Sequence, residues 1–393
     1  MSSSPTILSD YNVGNIIVPI NGTGYGVAGT AIAKAFIEYR KAVGYGNLHG
    51  LTINCIGGKP SFETKEDEEI IAPYLKTDPN PDKLSFVFWH AGHLDSLNVP
   101  HRDMSVAYTS FEVDGLSAKE VDSLGKFCTI ATTTTYHAGI LRTYFTQTPK
   151  VLVIPHGSTN LNIGYNPNIE PYKIWSQKLG IPLRMDTLVL SSIGKYEKRK
   201  GFYKLLDMAQ HSKYPGPTLI LASWHNPFFN FPFDELHSRG FRQVPSNGYT
   251  VYALNNLKVV LLPPTKTRRE LIQRAILSHG FISVSHGEGW NLPLAEMYET
   301  GIPIITSLSN VIDYLDLTHH EYCIPIEEHV ITSAKDGIFF HGTHNWFDFS
   351  LDSITKEIAK LHNTVFDQTC KNSIGPFREL ASWITVLGRY HAV

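Results

Sequence analysis

Two hydrophobic periods alternate along the chain. Short, nearly unbroken apolar runs at residues 15–20, 51–56, 83–89, 105–109, 127–132 and 151–154 have strand length and are too short for helices. Between them, residues 29–43, 118–124 and 137–145 carry apolar side chains at three- and four-residue spacing, the helical period. Strands without a polar alternate face imply a parallel sheet covered on both sides. Around residues 157–182 the pattern breaks into Asn, Gly and Pro, as in a linker. The alternation then restarts. Strands are expected at 187–193, 218–222, 259–262, 280–285 and 303–306, and helices at 201–211, 268–277 and 292–299. Residues 353–366 and 377–390 have the pattern of terminal helices. The expected fold class is α/β, with two doubly wound, parallel-sheet domains facing each other across a cleft. In such open sheets ligands bind beyond the carboxyl ends of the strands, so the loops there are the ones to search.

Length and composition narrow the picture. A chain of 393 residues has room for two domains, and 42% hydrophobic against 18% charged residues is a globular balance. With 34 Lys+Arg against 36 Asp+Glu the net charge is −2, which gives no broadly basic surface for nucleic acid. The longest apolar runs, 258–264 and 301–306, fall far short of a membrane span. The first residues lack the basic and then apolar build of a secretion signal, so a cytoplasmic protein is expected. Cys55, Cys128, Cys323 and Cys370 are scattered without a C-x-x-C pair, as expected of buried thiols rather than disulfides or a zinc site.

Three constellations could carry chemistry. The first is the loop from Asn21 to Gly29, where Gly24, Gly26 and Gly29 satisfy G-x-G-x-x-G between a strand and a helix. Such glycines let backbone approach a diphosphate at a helix N-terminus. Tight helix–strand packing is the competing explanation. A nicotinamide-binding domain also needs an acid at the end of the second strand, and Asn54-Cys-Ile-Gly-Gly-Lys59 has none. The second runs Ser285-His-Gly-Glu-Gly-Trp-Asn-Leu-Pro-Leu-Ala-Glu296. Pro293 suits a first helical turn, which puts Glu288 in the preceding loop and Glu296 inside the helix. Amides near Gly289, Asn291 and Leu292 would then meet an anion, with a hydroxyl-accepting carboxylate on either side. A sugar nucleotide needs that arrangement; a merely solvated acidic helix start is the plainer alternative. The third is Gly194-Lys195 with Lys200-Gly201, whose cations could neutralise a departing diphosphate.

Together these motifs resemble the family 4 glycosyltransferases of the retaining GT-B class. Glu288 and Glu296 match the family's E-x-7-E signature, and Gly194-Lys195 with Lys200-Gly201 match its G-R-x-x-x-x-K-G signature. Lys195 stands where Arg is usual, which keeps the charge and loses the bidentate fork. Asn291 replaces a common Gly. The segment from Gly22 to Gly29 is similar to the family's N-terminal glycine loop, Phe111-Glu-Val-Asp-Gly-Leu-Ser117 to an F-E-x-D-x-L-P element, and Ile154-Pro-His-Gly157 to a P-H-G turn.

The resemblance implies a GT-B fold with an N-terminal acceptor-side domain at 1–165 and a C-terminal donor-side domain at 166–375. The segment 376–393 would send a terminal helix back onto the first domain. It also implies retaining transfer of a sugar from a nucleoside-diphosphate sugar, with no obligate metal or other cofactor, to a hydroxyl acceptor. A saccharide or glycoconjugate acceptor is expected, without exclusion of a nucleic-acid acceptor. Lys195, Lys200 and the amides at Asn291 and Leu292 would stabilise the diphosphate, Glu296 would hold the ribose and Glu288 the donor sugar. His90 or His93, in Trp89-His-Ala-Gly-His93, would lie near that sugar, and Glu112 is a candidate sugar or acceptor contact. The H-x-x-H spacing of His90/His93 and of His341/His344 lacks the context of a zinc site. An NAD(P)-dependent oxidoreductase and a catalytically silent glycan-binding module are the alternatives.

Overall fold

The computed structural model describes residues 13–42, 50–157, 161–214, 216–224, 233–307, 323–326, 330–335 and 340–366. The expected helix at 377–390 lies outside them. The chain divides between residues 160 and 161 into two compact units.

The first unit is built on a six-stranded, all-parallel sheet of order β2-β1-β3-β4-β5-β6. Its strands are β1 (Val13–Pro19), β2 (Thr52–Ile56), β3 (Leu84–Phe88), β4 (Val106–Tyr108), β5 (Thr129–Thr132) and β6 (Lys150–Val153). The helices are α1 (Gly24–Ala42), α2 (Lys65–Ile71), α3 (Ala118–Gly125) and α4 (Thr135–Tyr144). All of β1 is buried, as its lack of polar alternation requires. Its one polar side chain, Asn15, is fully engaged. It donates to the carbonyls of Asn80 and Lys83 at 2.9 and 3.0 Å and accepts from Asn80 N at 2.7 Å and Thr52 Oγ1 at 2.8 Å. After β2 the chain crosses to the far side of β1, so the strand order reverses between β1 and β3.

Helix α1 starts five residues earlier than its apolar period indicates. Thr23 caps it, its Oγ1 accepting from Gly26 N at 3.3 Å, while Asn21 Oδ1 accepts from Thr23 N at 2.9 Å. Gly24, Gly26 and Gly29 therefore sit in the first turns of a helix rather than in an open loop.

The second unit contains β7 (Leu188–Gly194), β8 (Thr218–Trp224), β9 (Arg242–Val244), β10 (Thr250–Leu254), β11 (Leu257–Leu261), β12 (Gly280–Ser283), β13 (Ile304–Ser307) and β14 (Cys323–Ile326). The order is β14-β13-β12-β7-β8-β11-β10-β9. This sheet is mixed, against the expectation of a parallel one: β10 runs antiparallel to both β9 and β11. The reason is local. Leu254 pairs with Leu257 across only Asn255 and Asn256, and a two-residue turn can join only antiparallel strands. Asn255 takes the left-handed conformation that such a turn needs.

The helices of this unit are α5 (Pro171–Leu179), α6 (Phe202–Asp207), α7 (Phe233–Ser238), α8 (Arg268–Ala275), α9 (Leu292–Thr300) and α10 (Leu351–Phe366). Helix α5 corrects the expected linker at 157–182, because it buries Trp175 and Leu179 against Val189 and Leu219. A separate hairpin, β15 (Val330–Lys335) with β16 (His341–Asp348), precedes α10. No helix among the described residues is long and apolar enough to cross a membrane.

Candidate functional site

In the second unit the chain passes from β7 to β8 and β11 on one side, then returns to β12 on the other. The order thus reverses between β7 and β12, and at such a reversal the flanking loops splay apart and leave a crevice. The loop after β7 carries Lys195 to Gly201; the loop after β12 carries Val284 to Asn291 and runs into α9. Two of the three constellations are therefore neighbours in space.

Glu288 is the centre of this region and is 5% exposed. Its Oε1 accepts from Lys200 Nζ and from Ser285 Oγ, both at 2.5 Å, and its Oε2 accepts from Arg199 Nη1 at 3.0 Å. Arg199 also donates to the Gly287 carbonyl at 2.6 Å and to Glu197 Oε1 at 2.6 Å. Burial opposes ionisation of Glu288, but Lys200 and Arg199 outweigh it and hold the carboxyl below its usual range. Glu288 is thus an anion at neutral pH and accepts hydrogen bonds without donating any.

Lys195 lies at the more exposed end of the same loop, 3.6 Å from Glu197 Oε2. Four cations (Lys195, Lys198, Arg199, Lys200) against two carboxylates (Glu197, Glu288) leave a formal 4 − 2 = +2 here. Gly201, which ends the loop, has φ 66°, and a Cβ there would lie 2.1 Å from the Val284 carbonyl oxygen. Gly194 is less constrained: a Cβ there would stand 2.9 Å from the Phe202 ring, at the start of the following helix. Close approach of the two loops is what Gly201 permits.

At the mouth of α9, Asn291 sits in the left-handed region (φ 62°), a conformation an L-residue other than Asn or Asp adopts only at a cost. Its Oδ1 accepts from Leu294 N at 3.4 Å and its Nδ2 donates to Ser283 Oγ at 2.9 Å. Pro293 has no N–H, and Ala295 N donates to the Asn291 carbonyl at 3.1 Å. The Leu292 N–H, first in the helix, has no intrahelical acceptor. Glu296 is 2% exposed and forked by the Arg268 guanidinium: Nε donates to Oε1 at 2.7 Å, and Nη2 to Oε2. Each carboxylate oxygen keeps a second lone pair. Arg268 and Arg199, which hold the two glutamates, are groups that motif reading does not single out.

The first unit brings its own set together where its strand order reverses, between β1 and β3. The Tyr25 ring lies 3.9 Å from that of His90 and 5.0 Å from Phe88, and its hydroxyl donates to the Ser110 carbonyl at 2.9 Å. His90 thus packs on the glycine turn. His93 is exposed, its ring 6.4 Å from that of His90. Glu112, in the loop after β4, is half-buried. Gly26 and Gly29 serve packing: an added Cβ would come within 2.2 Å of Asn21 Oδ1 and 2.0 Å of the Pro19 carbonyl oxygen, respectively. Gly22 and Gly24 have nothing within 4 Å of such a Cβ. The P-H-G histidine, His156, is buried against Phe88 and Tyr108, and desolvation lowers its pKa to about 3. His341 and His344 lie three apart on β16 and so point to opposite faces of the strand. Cys55 and Cys128 are half-buried free thiols.

No protein-family model matches the sequence, and no curated protein matches it. Solved structures do match. HepE of Anabaena, in complex with UDP-glucose, aligns at TM-score 0.53 and 10% identity over 96% of this chain and 94% of that one. Sucrose-phosphate synthase of Thermosynechococcus elongatus aligns at 0.53 and 13%, over 99% and 92%. WaaG, a glycosyltransferase involved in lipopolysaccharide biosynthesis, aligns at 0.50 and 13%, over 96% and 94%. Against TarM the chain spans about half of that protein's length, 51%. These are GT-B glycosyltransferase structures, and at such identities the likeness is one of fold. The α/β fold of this chain matches theirs.

Proposed function

We propose that the protein is a retaining, metal-independent glycosyltransferase that moves a sugar from a nucleoside-diphosphate sugar to a hydroxyl acceptor, a saccharide or glycoconjugate. The observation that carries this reading is the buried Glu288–Lys200–Arg199 network at the strand-order reversal, beside the N-terminus of α9. Departure of a nucleoside diphosphate demands fixed positive charge where oxygen charge grows. Lys195, Lys200 and the Leu292 amide supply it, within a region that carries a formal +2. Glu288, ionised and unable to act as an acid, suits acceptance of donor-sugar hydroxyls and stabilisation of an oxocarbenium-like carbon. Glu296, its plane set by Arg268, keeps lone pairs for a ribose. In the first unit we assign His90 rather than His93 to the donor sugar, because His90 packs on the glycine turn, and Glu112 to the acceptor side. HepE in complex with UDP-glucose supports a uridine donor as the first to try.

The test is calorimetric titration with nucleoside diphosphates, UDP-sugars and NAD, each with and without Mg²⁺. One sugar nucleotide is expected to bind equally well in EDTA. Lys195→Ala, at a half-exposed position whose loss leaves the fold intact, is expected to weaken that binding about tenfold, the loss of roughly one charge-assisted hydrogen bond. The anomeric proton of the product, followed by NMR, is expected to keep the donor's configuration. Binding of NAD alone, indifferent to Lys195→Ala, would overturn the assignment and move the function to the glycine turn of the first unit.

A further inference from the structure

His286, two residues before Glu288, joins three segments that are far apart in sequence. Its backbone N–H donates to the Arg199 carbonyl at 2.8 Å, and its carbonyl accepts from Phe347 N at 3.1 Å. Its ring spans the same gap: Nδ1 is 2.8 Å from the Phe347 carbonyl oxygen and Nε2 is 2.9 Å from the Tyr203 hydroxyl. The ring lies nearly parallel to those of Phe349 and Trp346, with centroids at 5.1 and 6.2 Å. From α6, Lys204 Nζ fastens the end of β16 by donating to the Phe349 carbonyl at 2.6 Å and pairing with Asp348 at 2.6 Å.

A carbonyl oxygen only accepts, so Nδ1 must carry a proton. Tyr203 can then donate to Nε2. The ring is 2% exposed, and desolvation lowers its pKa, opposed by the Phe347 carbonyl and by Asp348 and seconded by Lys204 and Lys198. A neutral ring in the Nδ1–H form satisfies every contact. Charge would have to be carried by a ring almost wholly removed from water, with Asp348 Oδ1 3.5 Å from Nδ1.

We infer that His286 is a positioning residue, and that the β15–β16 hairpin straps the Glu288 turn in register with Arg199 and Lys200 through it. This rests on the donor-site reading given above, but the strap itself has a readout that needs no donor. With the ring bonds intact, the turn is held so that Arg199 and Lys200 reach Glu288; with them lost, only the two main-chain bonds keep it in place, and it is held less tightly.

The experiment compares His286→Asn with His286→Phe. Asn places its Nδ2 donor where Nδ1 stood and keeps the bond to Phe347; Phe keeps the ring stack and loses both ring hydrogen bonds. The Glu288 carboxyl, followed by ¹³C NMR titration, is expected to ionise below its usual range in the wild type and in His286→Asn. In His286→Phe it is expected to move up toward the ordinary carboxylate range. The imidazole ¹⁵N shifts of the wild type are expected to report Nδ1–H at pH 7. Turnover in His286→Phe is expected to fall about ten- to a hundredfold in kcat with donor KM little changed, the effect of misplacing a catalytic group by an ångström or so. An unmoved Glu288 titration in His286→Phe, or an Nε2–H ring, would overturn the inference even if the donor assignment stood. Absence of turnover in a wild type whose Glu288 titration responds as expected would instead overturn the donor reading and leave the strap in place.

Discussion

At the scale of single residues, the four glycines before and within the start of α1 divide by what surrounds them. A Cβ on Gly29 would overlap the Pro19 carbonyl, so backbone must move to admit it; a Cβ on Gly24 would meet nothing. Gly24 sits at the helix start without a positive φ, so alanine there suits the fold and restricts the unfolded chain. Gly24→Ala is expected to raise stability by about 0.5 kcal/mol and Gly29→Ala to lower it by about 3 kcal/mol, as an overpacked contact does. Urea denaturation checks both. If the open space over Gly24 is where a ligand meets backbone, the more stable variant will also show substrate KM raised about tenfold, a 1.4 kcal/mol penalty. The opposite signs separate the two explanations that the glycine spacing leaves open. Packing accounts for Gly26 and Gly29, and it does not account for Gly24.

At the scale of elements, α9 shows how a helix mouth with a left-handed cap residue is held. Asn291 both takes the left-handed backbone and caps Leu294, while reaching back to Ser283 on β12. Asn291→Ala removes the cap and the tie and places a residue ill-suited to that φ, for an expected loss of about 1–2 kcal/mol. Asn291→Gly loses the same cap and tie but fits the left-handed backbone, and is expected to lose less than Asn291→Ala. Chemical denaturation of the two variants checks the order. Most elements of this kind were legible because their signals are local. The buried strands β1, β3, β7 and β12 are mostly apolar runs broken only by small polar residues, and Pro293 marks the start of α9. Helix α5 escapes sequence reading for the same local reason: Pro171 at its first turn and Gly180 at its left-handed end are boundary signals that read as breakers when the helix between them is short. The partners of the two glutamates were not legible. Arg199 is 89 positions from Glu288, and Arg268 is 28 from Glu296, so only the fold brings each pair together. The His286 strap was hidden likewise, since Phe347 lies 61 positions away on a hairpin with no strong apolar alternation.

At the scale of the whole molecule, both units bury histidines in neutral form, and this sets how the protein responds to acid. Desolvation lowers His137 and His156 of the first unit and His279 of the second to a pKa of about 3. His286 is shifted in the same direction. In the unfolded chain each titrates near 6.5, so below that pH the unfolded state binds protons that the folded state refuses. Stability must therefore fall as pH drops through about 6.5, and continue to fall until the folded-state values are reached. At pH 5, one and a half units below the unfolded value, each of the three shifted histidines weakens folding by about 2 kcal/mol, at 1.36 kcal/mol per unit. That makes about 4 kcal/mol in the first unit and about 2 kcal/mol from His279 in the second, where His286 adds in the same direction, against a total of about 5–15 kcal/mol for a typical domain. The carboxylates act elsewhere: Glu288, held below its usual range, loses its contribution only as pH falls through the region below about 4.5. Calorimetric melts between pH 7.5 and 5.0 are thus expected to show the stability of both units falling as the pH drops, before Glu288 protonates. A stability flat across that interval would mean that these rings take up protons in place, which their apolar surroundings and unpaired nitrogens, such as Nε2 of His137, argue against.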